Sequence, residues 1–512
     1  MDINLKKLSS KNQLFLFINN YFWQIANFIT KILGLFWITP FLSSDKEVFG
    51  IYSLVVSFSV FLNYADLGFL KAAQQLGSQS FFNNNVVEEI EIIGFSGFIT
   101  SIVVFVFFCI LFYLSFFPEV IIDFNNSAIY HKLTASRLIM ILAFSLPFIF
   151  IQKIISLIFE IRLLGFVFYR IILICNLIPI FFVNLFYVNS QFLLIEYFIF
   201  IQLMNFVCCF IGLIVAARKL NYPFINLLKK FKFNLHIYSK MKRLAFSSFY
   251  LFFLWFVWNE LDRVFIGNLF GSNSLSIFMI CNLFYTSIIT VNGIIFQPLI
   301  TKSNYIYSSG GLGELKIYLI SVLKIIFPIY ILVLLFIIIL LKKFIILWLG
   351  INYEEVFMPA LFLISSFSLF CLSQQVITFL TISNNLSIIN IYSTIQAVLY
   401  WILLFFVSNY FNISFLIISK SFVIIIGHIY LLYINRKLDL LSFNYFKLFK
   451  SLLVVLLLVV IIFSIFNFFE SKFIDTSLFL FLFYYFICFC FILGFYFLIF
   501  KQTRDFIFLR NH

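Results

Sequence analysis

Charge is what this chain has least of. Only 11% of its 512 residues are Asp, Glu, Lys or Arg, against roughly 25% in a soluble domain. A water-facing shell cannot be built from so few. With 64% apolar residues and a mean hydropathy of +1.12, the chain reads as an integral membrane protein. Other absences narrow its chemistry. There is no Walker A loop, so the chain does not itself hydrolyse ATP. No His/Cys spacing suits a metal, and no Ser/His/Asp set is brought together by the topology. Cysteine is sparse: all eight, Cys109, Cys175, Cys208, Cys209, Cys281, Cys371, Cys488 and Cys490, fall within apolar segments. They read as small buried hydrophobes, not as a disulfide frame. Alternating ten-residue strands are missing, which excludes a β-barrel. Neither a catalytic residue, a metal nor a cofactor is implied.

What is present is a succession of apolar segments long enough to span a bilayer, about 20 residues each. They run near 15–42, 48–76, 92–117, 133–160, 163–188, 192–217, 244–270, 273–300, 317–341, 356–381, 386–410, 413–434, 448–469 and 477–500. The expected fold is an all-α polytopic membrane protein of about 14 transmembrane helices. The tight pair around Arg162 is a helical hairpin. The N-terminus, with Lys6, Lys7 and Lys11, leads into an apolar segment without a small-residue cleavage pattern, so the first helix is retained.

Between Arg218 and Arg243 the apolar pattern stops for 26 residues holding eight Lys/Arg and no Asp or Glu. The break divides the chain into a six-helix lobe (1–217), a basic linker (218–243), a second six-helix lobe (244–435) and two further C-terminal helices with a tail (436–512). Orientation follows from the charge bias between alternate loops. With the N-terminus inside, inner segments carry 22 Lys/Arg and outer loops five. Both termini and the linker are therefore expected in the cytoplasm. The net charge of +14 is an orientation signal, not a nucleic-acid site. Outer connections reach only about 15 residues, so any chemistry must occur within the helices or at their ends.

A charge at the centre of a spanning helix costs roughly 2.5–3.5 kcal/mol on insertion scales, so each needs a reason. The candidates are Lys31, Asp66, Lys153, Glu160, Arg170, Glu196, Glu260, Asp262, Arg263, Lys324, Lys420 and His428. At about 1.5 Å per residue, Lys31, Lys153, Arg170 and Lys324 fall roughly 12–18 Å from the helix ends, near mid-depth of a core about 30 Å thick. Cations from several helices at one depth suit a water-filled, positively charged cavity better than lipid. Glu260 and Arg263, three apart, suit a pair on one helix face. Lys153 and Glu160 share a polar stripe. His428 reads as a satisfied bundle histidine.

Two passages carry a resemblance. One is Ile38–Tyr52 (ITPFLSSDKEVFGIY) followed by Tyr64–Phe69 (YADLGF); the other is Asn259–Gly271 (NELDRVFIGNLFG), running on to Gln297 and Pro298. Together with the topology they resemble the polysaccharide flippases of the multidrug/oligosaccharidyl-lipid/polysaccharide exporter superfamily. The resemblance implies movement of an undecaprenyl-diphosphate-linked oligosaccharide from the inner to the outer leaflet of a bacterial cytoplasmic membrane, for O-antigen or another surface polysaccharide. It implies membrane lipids, a polysaccharide polymerase and a chain-length regulator as partners. An anionic diphosphate suits buried cations, here Lys31, Lys153, Arg170, Arg263, Lys324 and Lys420. Coupling to protons or sodium would fall to Asp66, Glu196, Glu260 or Asp262. One departure stands out: Glu88, Glu89 and Glu91 sit on a face that orientation makes basic.

Three other readings compete. A cation-coupled drug exporter of the same superfamily predicts more acids than mid-depth cations in the first lobe. A membrane-embedded polysaccharide polymerase or ligase predicts one large outer loop with Arg and His. A lipid II flippase differs only in cargo.

Overall fold

The computed structural model describes residues 10–61, 66–122, 129–162, 164–188, 191–383 and 385–442. The expected segments 448–469 and 477–500 lie outside them, as do Tyr64, Ala65 and most of 436–512. Fourteen α-helices are described: α1 (Ser10–Leu42), α2 (Lys46–Phe61), α3 (Phe69–Phe82), α4 (Val86–Phe116), α5 (Ile129–Ile161), α6 (Gly165–Phe181), α7 (Leu194–Leu220), α8 (Phe224–Lys229), α9 (Leu235–Asn259), α10 (Leu261–Leu349), α11 (Phe357–Ser365), α12 (Phe370–Ile382), α13 (Leu386–Tyr410) and α14 (Ile413–Lys437). A two-residue antiparallel pair, β1 (Tyr187–Val188) and β2 (Gln191–Phe192), tightens the α6–α7 turn. Among the described residues nine helices are long and apolar enough to cross a membrane.

Several expected segments differ in form. The second is two helices, because Leu67 and Gly68 adopt φ of +49° and +76°, a left-handed conformation that stops an α-helix. The seventh breaks between Asn259 and Leu261, leaving Glu260 at the junction of α9 and α10. The eighth and ninth belong to one run of 89 residues. At 1.5 Å per residue that run far exceeds a bilayer, and its helical backbone is interrupted at Gly271 and Gly311, with φ of +75° and +72°.

The turns are made by asparagine. Asn84 takes φ +58°, and Asn85 caps α4 by accepting the Glu88 N–H (3.2 Å) while its side-chain amide donates to the Glu88 carboxylate (3.0 Å). Asn221 closes α7 at φ +46°. Asn234 and Asn412 cap α9 and α14.

The chain forms two compact units, Met1–Met279 and Ile280–His512. In the first, α5 packs against α2, α3, α4, α6 and α7. Its core joins Phe69, Ala72 and Ala73 of α3, Ile93 and Phe95 of α4, and Leu157, Ile158 and Ile161 of α5 to Tyr222, Leu227, Ile237 and Met241. The last four show that the 218–243 linker is packed into this core, with α8 inside it. In the second unit α14 packs against α11, α12 and α13.

The linker also explains the acidic cluster. Lys230 pairs with Glu91 (2.6 Å), Lys240 with Glu88 (2.7 Å) and Arg162 with Glu89 (3.1 Å). The three carboxylates at the head of α4 are thus the counter-charges that hold basic residues of the same face.

Candidate substrate-facing site

In the first unit, polar side chains of α1, α3, α5 and α6 are joined by hydrogen bonds around Glu160 and Tyr169. On α1, Asn19, Trp23, Asn27 and Lys31 recur every four residues, so they wind along one side of the helix. Three of them meet α6. Asn27 donates to the Tyr169 carbonyl (2.6 Å), and Arg170 Nη2 lies 3.5 Å from Asn19 Oδ1. The Arg170 guanidinium lies 4.7 Å from the Trp23 ring centroid and 5.3 Å from that of Phe166. Stacking of this kind holds a guanidinium plane by cation–π attraction and leaves its N–H edge available to a ligand. Lys31 and Arg170 are both exposed at the protein surface.

Glu160, at the end of α5, is the centre of this network. Its Oε1 accepts from the Tyr169 hydroxyl (2.8 Å) and the Ser156 hydroxyl (2.8 Å), and its Oε2 accepts from the Gln74 amide (2.9 Å). Gln24 of α1 donates to the Tyr169 hydroxyl (2.9 Å). One carboxylate therefore ties four helices. Replacing Tyr169 with Phe removes the hydroxyl that joins Gln24 to Glu160, and a hydrogen bond to a charged group contributes about 1.5–3 kcal/mol. The expected result is a lowered unfolding temperature, with Gln24→Ala adding little in the Tyr169→Phe background; thermal denaturation of the purified variants checks it.

Asp66 sits where the second segment breaks. It is buried, and its carboxylate accepts the N–H groups of Gly68 (3.4 Å) and Leu70 (3.1 Å) at the start of α3. Lys153 of α5 interacts with it electrostatically. A carboxylate at the positive end of a half-helix, faced by a lysine, is a typical arrangement of interrupted membrane helices.

The other predicted residues lie apart from this network or on another unit. Arg263 and Glu260 form the expected i,i+3 ion pair (2.6 Å), both buried at the α9–α10 junction beside buried Asp262. Glu196 is exposed in the first turn of α7, where it complements the helix dipole. In the second unit Lys324 is exposed on α10. Lys420 is 0% exposed, its ammonium 5.2 Å from the ring centroids of both Tyr285 and Tyr400. His428 Nδ1 is 2.9 Å from the Ser373 hydroxyl. The same hydroxyl lies 2.9 Å from the Phe370 carbonyl.

Sequence reasoning missed Gln24, Asn27, Gln74 and Tyr169. They are uncharged, and such residues occur throughout the chain; only the spacing of Trp23, Asn27 and Lys31 on α1 hinted at them.

The chain is an all-α polytopic membrane protein. Its fold is that of the MOP-superfamily transporters. The structure is similar to the lipid II flippase MurJ in an inward closed conformation, with a TM-score of 0.68 at 18% identity, covering 96% of this chain and 100% of that one. It is also similar to an inward-facing multidrug resistance MATE transporter of the MOP superfamily, with a TM-score of 0.62 at 11% identity over 80% of this chain and 94% of the other. A third is a MOP-superfamily transporter from Pyrococcus furiosus described as having a binding pocket of reverse polarity, with a TM-score of 0.55 at 12% identity over 82% and 95%. No protein-family model and no curated protein matches the chain by sequence.

Proposed function

We propose that the protein is a flippase that carries an undecaprenyl-diphosphate-linked oligosaccharide across the cytoplasmic membrane for surface polysaccharide assembly. It has no catalytic role. The observation that supports this most is the polar network of the first unit. There the helices α1, α5 and α6 carry Lys31, Lys153 and Arg170 in a chain that otherwise avoids charge, and the exposed Arg170 guanidinium is held by Trp23, Phe166 and Asn19. An anionic diphosphate is the natural ligand of such cations. The lipid tail stays in the bilayer while the head group crosses, with the 218–243 linker and both termini on the cytoplasmic side. Lys324 is a further candidate cation. Asp66, at a helix break and facing Lys153, is the carboxylate best placed to couple an ion to the movement; Glu260, held by Arg263, is second. A polysaccharide polymerase and a chain-length regulator receive the product.

The test is to delete the gene and determine which leaflet holds the lipid-linked oligosaccharide. Complete units should accumulate at the inner leaflet. The intact gene should restore export, and the Lys31→Ala/Arg170→Ala variant, expressed at equal level, should restore roughly tenfold less or worse, as expected for losing charged hydrogen bonds to the ligand. Units that reach the outer leaflet but stay unpolymerised would sink the proposal in favour of a polymerase. The likeness to a lipid II flippase supports a second cargo. Under that reading deletion arrests peptidoglycan synthesis and leaves the oligosaccharide correctly placed.

A further inference from the structure

Among the described residues, the linker has an outer face rich in exposed apolar and basic side chains. α7 ends at Leu220 with Arg218 and Lys219 in its last turn, and α9 starts at Leu235. α7 is long and apolar enough to cross a membrane, and α9 leads into a second such stretch, Phe252–Gly293, so the linker connects two spans on one side of the bilayer. Phe224, Leu227 and Phe231, spaced three and four apart, form its inner face. Leu227 is 7% exposed, and the Phe231 ring packs against those of Phe98 and Phe150. The opposite face is unlike a water-facing surface. Ile225 is 73% exposed, Leu228 72% and Leu235 71%, with exposed Lys229 and Lys232 beside them. The charges divide by partner. Lys230 and Lys240 are paired with Glu91 and Glu88. Arg218, Lys219, Lys229, Lys232, Lys242 and Arg243 are exposed, and the whole stretch holds no Asp or Glu.

We infer that this outer face is a docking surface for the anionic phospholipid headgroups of the leaflet on the linker's side. Ile225, Leu228 and Leu235 enter the boundary between headgroups and acyl chains. Lys229 and Lys232, with Arg218 and Lys219 at the end of α7, bind lipid phosphates. Apolar side chains interleaved with lysines at a membrane boundary bind by this combination of burial and charge. Neither term suffices alone: the apolar residues are few, and headgroup attraction without insertion is screened within a Debye length. The ion pairs to Glu88 and Glu91 fix the face in register with the membrane surface. The inference stands independently of the cargo.

Hydrogen exchange of the full-length protein in nanodiscs tests it. Exchange of amides in 224–235 is compared between phosphatidylcholine alone and an equal mixture of phosphatidylcholine with phosphatidylglycerol. The expected result is roughly tenfold slower exchange of this stretch in the anionic discs. The difference should be absent in Lys229→Gln/Lys232→Gln and reduced in Leu228→Ser, while peptides from α5 exchange alike in all proteins and so report an intact fold. Inorganic phosphate added to phosphatidylcholine discs should not reproduce the slowing. Equal exchange in both lipids would overturn the inference and leave an acidic protein surface as the occupant. So would a slowing that survives the double lysine variant, or one produced by free phosphate.

Discussion

Gly68→Ala is expected to destabilise the first unit by about 2–5 kcal/mol, the sum of two terms. The first is conformational. Gly68 holds φ of +76°, and a Cβ in the left-handed region costs roughly 1–2 kcal/mol. The second is steric. A Cβ built there would lie 2.3 Å from the Ala245 carbonyl oxygen and 3.0 Å from the Phe249 amide nitrogen. Both are backbone atoms of α9, so relief requires moving a helix, and overpacking of this kind costs about 1–3 kcal/mol. The consequence reaches function, because Gly68 sits in the helix break that presents Asp66 to Lys153. Gly313→Ala is the control: a Cβ there meets nothing within 4 Å, and the exchange should be near neutral. Thermal unfolding of the two purified variants decides the matter; equal melting curves would mean that α3 and α9 are not packed as described.

Arg162→Ala is expected to cost about 3–5 kcal/mol, the range for removing one partner of a buried ion pair. Glu89 is 0% exposed. Arg162 meets it through Nε (3.1 Å) and Nη2 (3.4 Å), while Nη1 donates to the Leu220 carbonyl (3.3 Å). The guanidinium is also stacked 4.8 Å from the Tyr222 ring centroid. Alanine leaves a carboxylate buried without its cation and frees the end of α7 where the linker starts. Arg162→Lys should recover little, since an ammonium cannot make the two-pronged contact or stack. Glu89→Gln combined with Arg162→Met should be less harmful than Arg162→Ala alone, because no buried charge is left over. Detergent-solubilised melting temperatures of the three variants report the order, and a double variant worse than Arg162→Ala would refute the ion-pair account.

How much of this was legible beforehand depends on the kind of signal. The apolar runs gave the helices and their class, because a bilayer admits little besides helices with internally satisfied backbones. The pairing of Glu260 with Arg263 followed from helical spacing alone. The three-glutamate cluster on α4 looked like an anomaly. Its partners, Arg162, Lys230 and Lys240, are 73, 139 and 152 residues away in sequence, and no local pattern connects them. The charge of Lys420 alone makes it a candidate for a cationic cavity. Its enclosure by Tyr285 and Tyr400 depends on how α10, α13 and α14 pack.

The sequence by itself determined that this is a membrane protein of many helices with a basic break between two blocks. Composition and hydropathy are properties of the chain that the bilayer reads directly. Only the tertiary structure decided that the second segment is broken at Gly68. It alone made Glu160 the hub of four helices and paired Lys230 and Lys240 with the glutamates of α4. Those outcomes rest on backbone conformation and on contacts between helices far apart in sequence, and neither is encoded in the residues of any one segment.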